Sequence, residues 1–206
     1  SRTVRPNKHT FTIVIRAHGK VIQWLKKNNY NDKNKQPSSS VVVHAATRAR
    51  ELHQELWDLY HATGNEEKDL TILSLRPDAV SSTAVLQVLA HTSGCAGDDC
   101  GCDPYCDILT NSSSCFAEQA EQILMEMIHL SAQDVNFTPD VTSYEAVLCA
   151  WSNSKHPDAA QRAAHILQSM MESSTMPTTN CYNRVLEAHV KRCSIEMATT
   201  LLSRTE

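Results

Sequence analysis

The sequence predicts an all-α protein assembled from helical hairpins, and three observations lead there. Four proline-led blocks share one pattern of apolar residues. A second pattern, small residues first and large ones later, follows each block. The composition suits helix: five glycines, three phenylalanines and 5% aromatics are sparse for a β-sandwich, while Ala, Leu, Met, Glu and Gln crowd the apolar-periodic stretches. At 206 residues, 41% hydrophobic and 20% charged, the chain has the make-up of one domain or one short repeat array.

The first block runs from Pro6 through Phe11, Val14, Ile15, Ala17 and His18. The second starts at Pro77 and has Ser82 where the others have an aromatic, then Val85, Leu86 and Val88. From Pro139 the third continues through Tyr144, Val147, Leu148, Ala150 and Trp151, and from Pro177 the fourth continues through Tyr182, Val185, Leu186, Ala188 and His189. Each is a helix start. Proline suits the approach to a first turn, Asp or Thr beside it can accept from the free amides, and apolar residues three or four apart make one face.

The second pattern is Ala46, Ala49, Leu52, His53 and Leu56 after the first block. It recurs as Ala117, Ala120, Ile123, Leu124 and Met127, as Ala160, Ala163, Ile166, Leu167 and Met170, and as Ile195, Ala198, Leu201 and Leu202. Small residues early allow close approach to a neighbour, and large ones late fill the space where the pair splays. Each block is thus expected to be a helical hairpin.

Pro177 and Ile195 are 18 residues apart and Ala160 lies 17 before Pro177, which together make a 35-residue unit. The prolines are separated by 71, 62 and 38 residues, so the hairpins carry insertions of 22 and 14, of 22 and 5, and of 3. Repeat proteins accept insertions in loops. Asn28 to Ser40 and Cys95 to Ser114, both polar, are expected to be such loops. The expected organisation is a single array over 1–206. Repeat 1 spans about 6–76, repeat 2 about 77–138 with a Cys-rich insertion at 94–114, repeat 3 about 139–176, and repeat 4 about 177–206, cut short in its second helix.

A 35-residue hairpin whose second helix ends in Met, then a proline, an acidic residue and an aromatic-Val/Leu-Ala face, resembles the pentatricopeptide-repeat family. Pro139-Asp-Val-Thr-Ser-Tyr144 through Met170 is the strongest instance. The tetratricopeptide repeat, at about 34 residues, is the near competitor, and its Trp-Leu-Gly…Tyr pattern is absent. The resemblance implies a right-handed α-solenoid that binds single-stranded RNA, one base per repeat, through two or three side chains. Family readers are the residue after the helix aromatic and the residue after the next repeat's proline. Here they are Thr12 with Asp78, Thr83 with Asp140, Glu145 with Thr178, and Asn183. The first two pairs resemble the family's purine-selecting combination, and Asn183 its pyrimidine-leaning residue. The resemblance further implies a mitochondrial or plastid protein acting in RNA processing, editing, stability or translation, with other proteins of an RNA-processing complex as partners. The alternative is a protein-interaction scaffold of the tetratricopeptide kind.

The residues also have a plainer reading. Asp78 and Asp140 follow prolines at helix starts, where a carboxylate caps amides with or without RNA. Phe11, Tyr144 and Tyr182 recur at a core-like phase and are expected to pack within hairpins. Charge is uneven: residues 1–50 hold eleven Lys and Arg against the single Asp32, although the whole chain carries a net −4. Arg16 and Lys20, with Arg2, Arg5, Lys8, Lys26 and Lys27, are the candidates for contacting an RNA backbone.

Other chemistry finds little purchase. No His-Glu-x-x-His, Gly-x-Ser-x-Gly, P-loop or dinucleotide glycine pattern accompanies the ten histidines, so no enzyme and no cofactor are expected. Cys95, Cys100, Cys102 and Cys106 fall within twelve residues, but not in the paired knuckles of a structural zinc site, and a loop with incidental thiols is expected. Eight cysteines in a helical chain of this size require no disulfide scaffold, which fits a reducing compartment. The sequons at Asn111 and Asn136 matter only in a secreted protein. No run of 18 apolar residues exists, so no membrane span is expected.

Overall fold

The computed structural model describes residues 6–29, 39–62, 74–93 and 115–191. Among these there are seven α-helices, one short 3-10 turn and no strand. The helices are α1 (Lys8–Asn29), α2 (Ser39–Ala62), α3 (Ala79–Thr92), α4 (Phe116–Ser131), α5 (Val141–Asn153), α6 (Ala159–Glu172) and α7 (Thr179–Lys191), and the 3-10 turn covers Val135–Phe137. The protein is all-α across the described residues.

Helices α1, α3, α5 and α7 each begin two residues after a block proline. The residue between is the cap, and its side-chain oxygen accepts from the amide three residues on. Asn7 takes the Thr10 amide at 3.0 Å, Asp78 that of Ser81 at 2.9 Å, Asp140 that of Ser143 at 2.8 Å, and Thr178 that of Cys181 at 3.4 Å. One capping geometry therefore stands at all four starts, each worth about 1 kcal/mol.

The odd-numbered helices lie side by side, α1 against α3, α3 against α5 and α5 against α7. Each even-numbered helix packs between two of them: α2 on α1 and α3, α4 on α3 and α5, α6 on α5 and α7. Neighbouring odd helices run parallel. Lys8 meets Asp78 at the starts of α1 and α3, and Gln23 meets His91 near their ends. Thr178 meets Glu145 early in α5, and Lys191 meets Ser152 near its end.

The core follows the apolar spacing. Ala46, Ala49, Ala117, Ala120, Ala160 and Ala163 are buried where the even helices come close, and Leu56, Leu124, Met127, Ile166, Leu167 and Met170 are buried further along them. Gly19 lets α1 approach α3 closely, since a Cβ there would stand 3.2 Å from Val88 Cγ2. The block without an aromatic closes on a polar pair instead: buried Ser82 Oγ lies 3.2 Å from His53 Nε2 of α2. Trp57 of α2 stacks on Phe137 at 5.5 Å, and Arg76 pairs with Asp134 at 2.6 Å, which pins the α4–α5 connection against the first hairpin.

Two expectations need correction. The insertions around the first hairpin lengthen its helices: α1 has 22 residues and α2 has 24, against 13 in α5 and α7. Of the stretch from Asn28 to Ser40, Asn28, Asn29, Ser39 and Ser40 are helical, and residues 30–38 lie outside the described residues. Ile22 and Leu25 continue the apolar face of Phe11 and Ile15 onto the core, and Lys26 and Lys27 favour a helix C-terminus. In the first block, moreover, Val14 and Ala17 face solvent, whereas their counterparts Val85, Val88, Val147 and Ala150 are buried by a preceding odd helix. The cysteine-rich insertion 94–114, the Ile195 to Leu202 pattern, Arg2 and Arg5 lie outside the described residues.

Candidate nucleic-acid interface

The seams between parallel odd helices bring the paired positions together at the helix starts. Across the α5–α7 seam the contact is direct, the Thr178 hydroxyl donating to Glu145 Oε1 while Thr178 Oγ1 itself accepts from the Cys181 amide. Across α3–α5 the contact passes through one residue. Ser143 donates its only hydroxyl proton to Asp140 Oδ1 at 2.8 Å, so at 2.7 Å it accepts from Thr83. Thr83, Ser143 and Asp140 form one directional chain.

The first pair is arranged differently. Thr12 is buried, and its hydroxyl donates to the Lys8 carbonyl one turn back at 2.7 Å. Asp78 instead takes the Lys8 ammonium at 2.8 Å, so Lys8 joins the two positions. Burial pushes the Asp78 carboxyl up, but the Lys8 ammonium together with the Ser81 amide and hydroxyl outweighs it and holds the group below its usual range. Lys8 is thereby engaged within the protein, which removes it from the cations expected on an RNA backbone. Asn183, on α7, is exposed. Arg16 and Lys20 are exposed on α1.

Ser143 and Lys8 are the participants that sequence reasoning missed. A signal existed for Ser143: Ser81, Ser143 and Thr10 are hydroxyl residues three places after a cap, the spacing of a side chain that meets the capping group. Nothing in the spacing marks Lys8, whose partner is 70 residues away.

Chemically the seams present the acceptor oxygens of hydroxyls and carboxylates at helix starts, the hydroxyl protons being spent on partners within each seam. Both bonds to Asp140 fall on Oδ1, and Asp140 is exposed. Phe11 and Tyr144 are in the core, with the Tyr144 hydroxyl on Ser173 at 3.1 Å, so they support the seam rather than line its surface. Burial pushes the Cys115 thiol up, away from nucleophilic character. Among the described residues no group of three His, Cys, Asp or Glu side chains stands close enough to hold a metal ion. No described helix is long and apolar enough to cross a membrane.

No protein-family model matches the chain, and no curated protein sequence matches it.

Proposed function

We propose that the chain is a pentatricopeptide-type array, a right-handed α-solenoid of helical hairpins, that binds single-stranded RNA along its odd-helix seams. The observation that carries this reading is the placement of the paired positions. Glu145 with Thr178, and Thr83 with Asp140 through Ser143, are residues from separate helices held within hydrogen-bonding reach at successive seams. Such a series of hydroxyl-carboxylate pairs offers one base edge per repeat acceptor oxygens, and a hydroxyl proton where the base takes the place of its seam partner. Arg16 and Lys20 supply backbone contact at the basic end. The same reading makes this a mitochondrial or plastid protein that acts on transcripts together with other proteins of an RNA-processing complex.

The test is binding of labelled, unstructured RNA pools at low and rising salt. Asp140→Asn is the informative variant, because Asn caps a helix as well as Asp does. It should keep the fold and change the preferred base at one position. Arg16→Gln and Lys20→Gln should weaken all sequences alike and each lower the salt slope by about 0.7 for a single strand. No binding by any pool at low salt, or an unchanged preference in Asp140→Asn, overturns the reading.

A further inference from the structure

The described seams meet at helix starts, but not with the same chemistry. Counted from the block proline, Thr12, Thr83, Glu145 and Asn183 hold one position on successive odd helices. Thr83 and Glu145 are half-buried and Asn183 is exposed, whereas Thr12 is 7% exposed and its hydroxyl proton is spent on the Lys8 carbonyl one turn back. The place across from Asp78 is taken by the Lys8 side chain, whose Nζ stands 2.8 Å from Asp78 Oδ2. The Lys8 amide donates to the Ser74 carbonyl at 2.9 Å, which fixes the first turn of α1 beside the segment that leads into α3. In the later blocks Ala79, Val141 and Thr179 hold the position of Lys8, and none carries a charge.

The ion pair stays within reach of a ligand, with 26% of the Lys8 side chain and 21% of the Asp78 side chain exposed. An ammonium has three protons, and the bond to Asp78 uses one. Asp78 Oδ1 accepts from the Ser81 amide at 2.9 Å, so each carboxylate oxygen keeps a lone pair. At the α3–α5 and α5–α7 seams the hydroxyl protons go to partners within the seam, which leaves acceptors. The α1–α3 seam therefore adds free donors to its acceptors. We propose, resting on the reading that the seams bind RNA bases, that Lys8 in place of Thr12 is the specificity-determining partner of Asp78, and that this seam takes a keto base, guanine or uracil. Such a base sets a carbonyl oxygen beside a ring N–H on its Watson–Crick edge. The carbonyl accepts from the Lys8 ammonium and the ring N–H donates to the Asp78 carboxylate. Adenine and cytosine carry an amino group where the carbonyl stands, which sets donor against donor.

The test is selection of unstructured, randomised single-stranded RNA by the 206-residue chain and its variants at low salt. Wild type should prefer guanine or uracil at the position next to the one that Asp140→Asn re-targets, because successive seams read successive bases. Lys8→Met keeps the aliphatic stem without the ammonium. It should keep the helical circular dichroism and lose that preference, with affinity for a keto base at that position falling roughly tenfold, and Lys8→Arg should restore it. Thr12→Val has the same shape without the hydroxyl and should leave the preference as it is. If Lys8→Met loses helix or weakens all sequences evenly, the ion pair only holds the two helices together, and the proposal is overturned while base reading at the other seams stands. A preference that moves in Thr12→Val, or one for adenine or cytosine at that position, overturns it in the same way. A wild-type chain that binds no pool overturns base reading and this proposal together.

Discussion

His53 sits at the first inter-hairpin contact, and burial, reinforced by Arg50, pushes its pKa down from 6.5 to about 4. The ring is therefore neutral in the folded chain and bonded to Ser82. Its protonation favours the unfolded chain, so this contribution to stability is complete above pH 6.5 and is lost as pH falls towards about 4. The loss is at most roughly 3 kcal/mol at 1.36 kcal/mol per unit. Burial lowers His18, His91 and His189 as well, which adds to the same acid limb. Urea midpoints measured from pH 7 to 4 should fall steeply, and His53→Gln should flatten part of that slope; an unchanged slope would show that His53 does not carry it. The caps make a second residue-scale prediction. Asp140→Ala should lose about 1 kcal/mol of stability by removing the acceptor of the Ser143 amide, while Asp140→Asn recovers nearly all of it. Equal losses in the two variants would mean that the charge, and not the cap, was stabilising.

At the scale of elements, closeness between α1 and α3 depends on Gly19. Alanine at that position gains helix propensity of up to about 1 kcal/mol but places its methyl 3.2 Å from the branched, buried Val88, which has little room to turn. Leucine has no such balance and should drive the two helices apart, costing about 1 to 3 kcal/mol as overpacked cores do. Thermal unfolding of Gly19→Leu tests this, and a melting temperature at or above that of wild type would refute it. Helix starts and buried faces were legible in the sequence because each rests on local chemistry: a proline, a cap beside it, and apolar residues at helical spacing. Helix ends were less so. The 22-residue insertion in the first hairpin contains polar residues typical of a loop, yet Ile22 and Leu25 find the core and carry α1 on to Asn29. The paired positions at the seams were legible as positions but not as bonds. Thr83 reaches Asp140 only through Ser143, and Thr12 turns back on its own helix, outcomes set by rotamers and by the approach of a second helix.

For the whole molecule, the order of packing governs how stability is shared. The principal contacts run from α1 and α2 to α3, from α3 and α4 to α5, and from α5 and α6 to α7, always between neighbours. This order of packing predicts a row of units each coupled to the next, with damage at one end weakening the far end only through each intervening interface. A compact two-state domain of this size would instead lose protection everywhere together. Leu167, fully within the core of α6, distinguishes the two. Replacing it with alanine should cost about 2 to 5 kcal/mol locally. In native-state hydrogen exchange the amides of α6 and α7 should then exchange faster by the corresponding factor, while those of α1 and α2, held by Ile15, Ile22, Ala49 and Leu56, keep nearly their wild-type rates. Uniform acceleration across all seven described helices would instead mean that the hairpins fold and unfold as one body.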